Sequence, residues 1–565
     1  MKKLIDNPRS VAREMLEGVA ILNPELALLE EETVLVRHPL PNFEQRAVAV
    51  ISGGGSGHEP AHGGYVGAGM LTAAVAGDVF TSPSTDAVLA GIRAVAGPAG
   101  AVLIVKNYTG DRLNFGLAAE MARTEGIPVE VVVVADDVAL NATVPNGRRR
   151  GIAGTILIHK VAGASAARGD DLETVARHAR EACGLVGSMG VALGACTLPS
   201  VGKPGFELGD DEIEMGLGIH GEAGVKKSKM RPAAELVAIL IETIADDLQL
   251  TGRDELAVLI NGLGSTPPME LSIVARDAMT DFKRRGLKVS RAWTGTFLTA
   301  LDMAGCSISV LKLTPELLAL LDAPTSATSW PRGGAVPAGG ANTIASVKAK
   351  SFPQDSVGSE LVSLRNAVQS AARALVEAEP ILTELDTRAG DGDLGGSMVR
   401  GSEALLSFPP SFWRQDSASI LHAMGEAVRR AIGGSSGPFY ATALIRAARR
   451  LAGIATPSPA DVADAFDAAT QAIATLGGAG AGDRTMLDAL IPASKSLRAA
   501  IESGEPIRTA LKSAAAAATE GADATASMKP RLGRASYLGE RATGIPDGGA
   551  VAVSIWLKAV ASTKP

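Results

Sequence analysis

Ala101-Val102-Leu103-Ile104-Val105-Lys106-Asn107-Tyr108-Thr109-Gly110-Asp111-Arg112-Leu113-Asn114 decides how the first half of the chain is read. The stretch opens as an aliphatic, β-branched run of strand length and then breaks into a polar turn that leads into a helical pattern. Strand, turn and helix in that order are the unit of an α/β fold, and such folds place their working side chains at the carboxyl ends of strands. Comparable runs at 48–52, 129–134, 256–260 and 307–312 alternate with helical stretches up to about residue 330. The rhythm predicts an α/β domain with mixed or parallel sheet.

Downstream the texture changes. Residues 324–356 are rich in Pro, Gly, Ala, Ser and Thr, include Trp330-Pro331-Arg332-Gly333-Gly334, and show no amphipathic period, which reads as a linker. Beyond it Leu361, Leu364, Val368, Ala371 and Leu375 recur at helical spacing. Similar Ala- and Leu-rich segments cover about 412–432, 438–453, 459–475, 485–503 and 506–521, so the second domain is expected to be all-α. Residues 551–555 fit either a strand or a buried helix. The boundaries expected are 1–332, a linker at 333–355, and 356–565.

Composition narrows the function classes. At 565 residues the chain exceeds what one core supports. A net charge of -7, with no basic run longer than Arg148-Arg149-Arg150, argues against nucleic acid as a partner. Three scattered cysteines (Cys183, Cys196 and Cys306) suit a reducing cytoplasm and exclude a disulfide framework or a cysteine zinc site. The longest apolar runs are too short to span a bilayer, so no membrane partner is expected.

In the first half, Ser52-Gly53-Gly54-Gly55-Ser56-Gly57-His58-Glu59-Pro60 follows a strand and offers a flat backbone surface to a polar ligand. It fits neither a dinucleotide fingerprint nor a P-loop. His58-Glu59-Pro60-Ala61-His62 matches the H-E-x-x-H zinc pattern, but Pro60 can occupy only a first helical turn, which leaves His58 in the loop and removes the two-histidine face. A loop with Ser82 and a glycine-flanked His220 complete the candidates. Each polar residue has a plainer reading as a cap or turn former; for His58 and His220, in glycine-rich loops of a chain with only seven histidines, a functional reading is preferred.

In the second half, Asp386, Asp391 and Asp393 sit where a helix gives way to a glycine turn. Three carboxylates at spacings of five and two repel one another unless a cation neutralises them, and hard oxygen ligands suit Mg²⁺. A solvated acidic turn is the alternative. Gly433-Gly434-Ser435-Ser436-Gly437-Pro438 opens a helix with amides available to phosphate. Two further loops follow, one with Arg484, Thr485 and Met486, the other with Arg534 and then Asp547, Gly548 and Gly549.

Taken together these loops closely resemble the dihydroxyacetone kinase family in its single-chain, ATP-dependent form, over nearly the whole chain. The resemblance implies a ketose-binding domain followed by a nucleotide-binding domain built as a barrel of antiparallel helices. It assigns substrate binding to Gly54, Gly55, Ser56, Gly57, Ser82, Lys106, Asp111 and His220, with His220 forming a hemiaminal with the ketone carbon. His58 and Asp111 orient and deprotonate the terminal hydroxyl. Mg²⁺, two ions, falls to Asp386, Asp391 and Asp393, and ATP to the glycine-rich and arginine loops named above, Arg534 included. A homodimer is also implied.

The chain departs from the family pattern at Ala223 after the anchoring histidine, at Leu394 after the last aspartate, and at Gly548. The first leaves the ketose open between dihydroxyacetone and erythrulose. Cyclisation of FAD, and ketose binding without turnover, are the other activities the resemblance admits.

Overall fold

The computed structural model describes residues 3–140, 144–222, 224–337, 341–344, 359–532, 535–536 and 542–563. These form two compact units, Met1–Ile344 and Ala345–Pro565.

In the first unit α1 (Val11–Leu22) precedes a six-stranded sheet. Its strands are β1 (Leu26–Leu28), β2 (Val34–Arg37), β3 (Ala49–Ser56), β4 (Ala73–Val79), β5 (Ala101–Lys106) and β6 (Val129–Val134), in the order β1-β2-β4-β3-β5-β6. The last four in that order are mutually parallel, while β1 and β2 add antiparallel at the β4 edge. Strand β5 shows why: Val102 and Ile104 enter one core, Leu103 and Val105 another, and all four are fully buried. Each such side chain contributes about 1.5–3 kcal/mol of burial free energy. Helices α2 (Thr85–Val95) and α3 (Thr109–Thr124) cover one face, and α4 (Thr155–Arg168) and α5 (Leu172–Leu185) the other.

A second sheet of β7 (Val186–Ala192), β8 (Glu212–Met215), β9 (Lys226–Lys229), β10 (Glu255–Gly262), β11 (Lys288–Gly295) and β12 (Gly305–Leu313) runs in the order β11-β10-β12-β7-β8-β9. Only β10 and β11 are parallel. One face packs against α6 (Ala233–Asp247) and α7 (Pro268–Arg284). The other shares its core with α4, α5 and α8 (Pro315–Asp322), which therefore lie between the sheets. The sequence rhythm shows β3, β5, β6, β10 and β12 but not the other seven strands, β4 and β7 among them. Both are built on Ala and Gly, which lack the β-branched signature of a strand.

The Pro/Gly-rich stretch is not free chain at its start. Amides of Ser326, Ser329 and Val336 donate to the carbonyls of Ala68, Gly64 and Ser290, which fastens it to the first unit as far as Val336.

The described part of the second unit is all helix: α9 (Val362–Glu377), α10 (Glu379–Ala389), α11 (Leu394–Leu406), α12 (Ser417–Ala431), α13 (Ser436–Leu451), α14 (Pro459–Gly477), α15 (Leu487–Glu502), α16 (Ile507–Ala524) and α17 (Gly548–Ser562). Each helix from α11 to α17 packs on the next, and α9 packs on both α11 and α17, so eight helices close a ring. Residues 551–555 belong to helix α17. The ring encloses a cavity of about 820 Å³ lined by side chains such as Leu364, Val368, Met424, Leu444, Phe466 and Trp556. Among the described residues no helix is long and apolar enough to cross a membrane.

Candidate active site

The glycine-rich segment is the end of β3 itself and not a loop after it: Gly53, Gly54, Gly55 and Ser56 pair in parallel register with β4. Two positions show why side chains are excluded. A Cβ on Gly55 would lie 2.5 Å from the amide nitrogen of Thr81. Gly54 has a φ of 155°, and a Cβ there would lie 2.7 Å from Lys106 Nζ and 3.6 Å from Asp111 Oδ2. The missing side chain at Gly54 leaves a cradle between an ammonium and a carboxylate.

Lys106 ends β5 and Asp111 lies in the first turn of α3; both are buried. Burial raises the Asp111 pKa, opposed by the Lys106 charge and by a hydrogen bond from Ser82. Burial lowers that of Lys106. Ser82 also receives a hydrogen bond from Asn114 Nδ2, at 3.4 Å, which ties its loop to α3.

His58 is fully buried, and its Nδ1 lies 2.8 Å from the carbonyl of Thr299. A carbonyl only accepts, so Nδ1 carries the proton and Nε2 holds a lone pair. Among the described residues Nε2 has no partner. Burial, and the charges of Lys106 and His220, push the His58 pKa well below its ordinary value. The ring is therefore neutral and presents a free lone pair at Nε2. His58 does not share a helix with His62: residues 58–62 form turns, so the zinc-protease spacing has no structural counterpart.

His220, on the connection between β8 and β9, sits in a box of three rings. Centroids lie 4.9 Å away for His58, 5.3 Å for Phe80 and 4.4 Å for Tyr108. Burial first, then the charges of Lys106 and Arg150, push its pKa down to about 3. An exposed imidazole would titrate near 6.5, so this ring stays neutral, as a nitrogen nucleophile must be.

A clasp holds the His220 loop. The His220 amide donates to Glu222 Oε2 at 2.8 Å. Arg150 donates to Asp137 Oδ2 at 2.7 Å, to the Gly216 carbonyl at 2.9 Å and to Glu222 Oε1 at 3.4 Å. In the sequence Arg150 reads only as part of a short basic run, and Phe80, Thr299 and Asp137 are not among the candidates. Phe80, with a φ of 57°, carries no readable signal, and neither does Arg150, on the loop before α4; Asp137, a charge just after β6, does.

In the second unit, carboxylate oxygens of Asp386, Asp391 and Asp393 all lie within 4.8 Å of one another. Asp386 Oδ2 also accepts from the Leu394 amide at 3.1 Å, which folds the turn back on α10. Three convergent, partly exposed carboxylates fit a hard, hydrated divalent cation.

The start of α17 ties the loops together. A Cβ on Gly548 would lie 2.8 Å from Leu394 Cδ2, and one on Gly549 3.4 Å from Met486 Cβ. Leu394, Tyr440 and Val551 share one apolar cluster, which brings in α13 and with it the Gly433-Gly434-Ser435-Ser436-Gly437 turn. Asp547 caps α17 by accepting from the Ala550 amide, and burial pushes its pKa up to about 6.

Arg484 is buried, with its Nη2 on the carbonyls of Ala542 and Ile545. Its Nε and Nη1 have no partner among the described residues. The Thr485 amide and hydroxyl are engaged within their own turn, with Asp488 and Leu487. Arg534 and Ala223 lie outside the described residues.

Both units match known domains. The Dak1 domain matches residues 17–329 and the DAK2 domain residues 388–562. Over 99% of its length the chain is 41% identical to the triokinase/FMN cyclase of Homo sapiens, covering 98% of that protein. It is 36% identical to the D-erythrulose kinase of Mycolicibacterium smegmatis, with the same coverage. The dihydroxyacetone kinase of C. freundii, solved in native form and in complex with AMP-PNP and Mg²⁺, superposes with a TM-score of 0.64 at 36% identity over 99% of both chains. An α/β unit carrying a buried Lys–Asp cradle, followed in the same polypeptide by a helical ring carrying three convergent aspartates, belongs to the dihydroxyacetone kinase family.

Proposed function

We propose that this chain transfers the γ-phosphoryl group of ATP to the terminal hydroxyl of a small ketose, with dihydroxyacetone as substrate and dihydroxyacetone phosphate and ADP as products. The first unit, residues 1–332, holds the ketose, and the second, 356–565, holds ATP. The observation that carries the reading is the Gly54 cradle, open between Lys106 and Asp111 within the site that His58 and His220 complete.

The neutral His220 ring adds through a nitrogen to the ketone carbon. The carbonyl π-bond opens, the other ring nitrogen gives up its proton and the oxygen takes up one, giving a neutral hemiaminal that fixes the triose. Asp111 accepts a hydrogen bond from the terminal hydroxyl, and His58 Nε2 takes up its proton as the oxygen attacks phosphorus. Lys106 supplies positive charge beside the substrate oxygens. Mg²⁺, two ions held by Asp386, Asp391 and Asp393, supplies charge neutralisation on the phosphates. ATP would be held by the amides of Gly433, Gly434, Ser435, Ser436 and Gly437 at the start of α13, with Arg484, Thr485, Met486, Arg534, Asp547, Gly548 and Gly549 as its further contacts. Positioning of two reactants provides most of the rate.

The name of the Mycolicibacterium relative supports erythrulose as a second substrate, and that of the human relative supports cyclisation of FAD at the same nucleotide site. Action in the cytoplasm as a homodimer completes the reading, supported by the three free cysteines and by the family resemblance. The test is ADP release with dihydroxyacetone, both erythruloses, glyceraldehyde and glycerol, beside an FAD and Mn²⁺ arm read by chromatography. Ketoses should exceed glycerol at least ten-fold; equal rates with glycerol would refute ketose selection.

A further inference from the structure

His62 has no part in the chemistry above, yet it is buried beneath the cradle with both ring nitrogens engaged. Nε2 lies 3.0 Å from Lys106 Nζ and Nδ1 lies 3.4 Å from Ser52 Oγ. Ser52 donates its one hydroxyl proton to the Ile104 carbonyl at 2.7 Å, so toward His62 it can only accept. Nδ1 must then carry the ring proton, and Nε2 presents its lone pair to the ammonium. The opposite tautomer would set an N–H against an N–H. A strand hydroxyl on β3 thus selects the tautomer of His62, and His62 selects the direction of Lys106.

We infer that His62 is a positioning residue that holds the Lys106 ammonium beside Gly54, aimed at Asp111 and the substrate. Among the described residues no carboxylate oxygen lies within ion-pair distance of Lys106. The carboxylates that face it are Asp111 from α3 and Glu59 from the turn after β3, and the histidines around it are His58, His62, His159 on α4 and His220. Toward Asp111 the groups that lower its pKa are Lys106 and Ser82.

An uncharged acceptor is what this place requires. A carboxylate at 62 would neutralise the ammonium and cancel its pull on Asp111, whereas a neutral imidazole orients it and leaves its charge intact. Burial and the neighbouring Lys106 keep the His62 pKa well below its ordinary value, so the acceptor does not fail at neutral pH. This inference rests on Asp111 acting at the substrate hydroxyl.

The test compares pH profiles of kcat/KM for the full chain and for His62→Leu, His62→Gln and Asp111→Asn, with Tm measured for each. His62→Leu should move the acid limb up by about one pH unit or more, because Asp111 loses the charge that holds it ionised, and should lower kcat/KM at pH 7 about ten-fold. His62→Gln should restore most of both, since its amide oxygen can accept from Lys106 while its amide N–H donates to Ser52. If His62→Leu does not fold, His62→Asn, too short to span from Ser52 to Lys106, carries the same expectation. An acid limb unmoved in the loss variant, with Asp111→Asn inactive, overturns the positioning role. An active Asp111→Asn overturns the reading of the site itself, and the inference with it.

Discussion

The neutral state of His220 makes a quantitative prediction about pH. Suppose the ring titrated near 6.5, as an exposed imidazole does. At pH 5 only about 3% would be neutral, and ketose capture would weaken about 30-fold, or about 2 kcal/mol. In the structure the ring is boxed by His58, Phe80 and Tyr108 and faces the cations Lys106 and Arg150, and its pKa falls to about 3. At pH 5 about 99% then remains neutral. The assay is calorimetric titration of dihydroxyacetone and of glycerol, without ATP, from pH 8 to pH 5. Glycerol has no carbonyl, so the ratio of the two affinities cancels any titration of Asp111 and isolates His220. The ratio should hold within about two-fold. A fall of ten-fold or more with a midpoint near 6.5 would mean that His220 titrates as an exposed imidazole and is not held neutral by its box.

The same depressed pKa has the opposite consequence for folding. Below pH 6.5 the unfolded chain binds a proton at His220 that the folded chain refuses until about pH 3. Stability present above 6.5 is therefore lost as pH falls through that window. The cost at pH 5 is about 2 kcal/mol for His220, and similar for the buried His159, whose pKa is also lowered to about 3. Affinity should hold while stability declines.

Asp391→Asn or Asp393→Asn should abolish Mg²⁺-dependent turnover and leave ketose affinity unchanged; turnover and titration measured on one preparation check both. Gly54→Ala should cut kcat/KM at least 100-fold, because the new methyl meets Lys106 Nζ and strains a positive φ, whereas Gly116→Ala, in an open helical position, should raise stability by about 0.5–1 kcal/mol. A fragment ending after Pro337, which keeps the Val336 amide on Ser290, should fold and bind ketose without hydrolysing ATP; loss of ketose binding would count against the division of labour.

Much of this was legible in the sequence, and the exceptions have physical causes. The strand 101–106 announced itself because both its faces are buried, so every residue is apolar until Lys106. Strands β4 and β7 did not, because close approach to neighbours selects Gly and Ala there. The glycine run at 53–55 looked like a loop for the same reason: glycine marks tight backbone approach whether the chain is turning or paired in a sheet.

At the site, His58, Asp111, Lys106 and His220 could be read from spacing and loop type. What the sequence could not show is what sets their protonation: the Thr299 carbonyl on His58, the Arg150 clasp and the ring box around His220. Those partners lie up to 241 residues away in sequence and meet only through the sheets. The three aspartates at 386–393 were readable because their convergence is local to one turn.

Phosphoryl transfer to a ketose hydroxyl is followed atom by atom by ³¹P NMR of a reaction with ATP, Mg²⁺ and dihydroxyacetone. A phosphomonoester on the terminal carbon should appear in step with ADP, and none without Mg²⁺. A γ-phosphate that stays on ATP with every ketose, or is released only as inorganic phosphate, would contradict it.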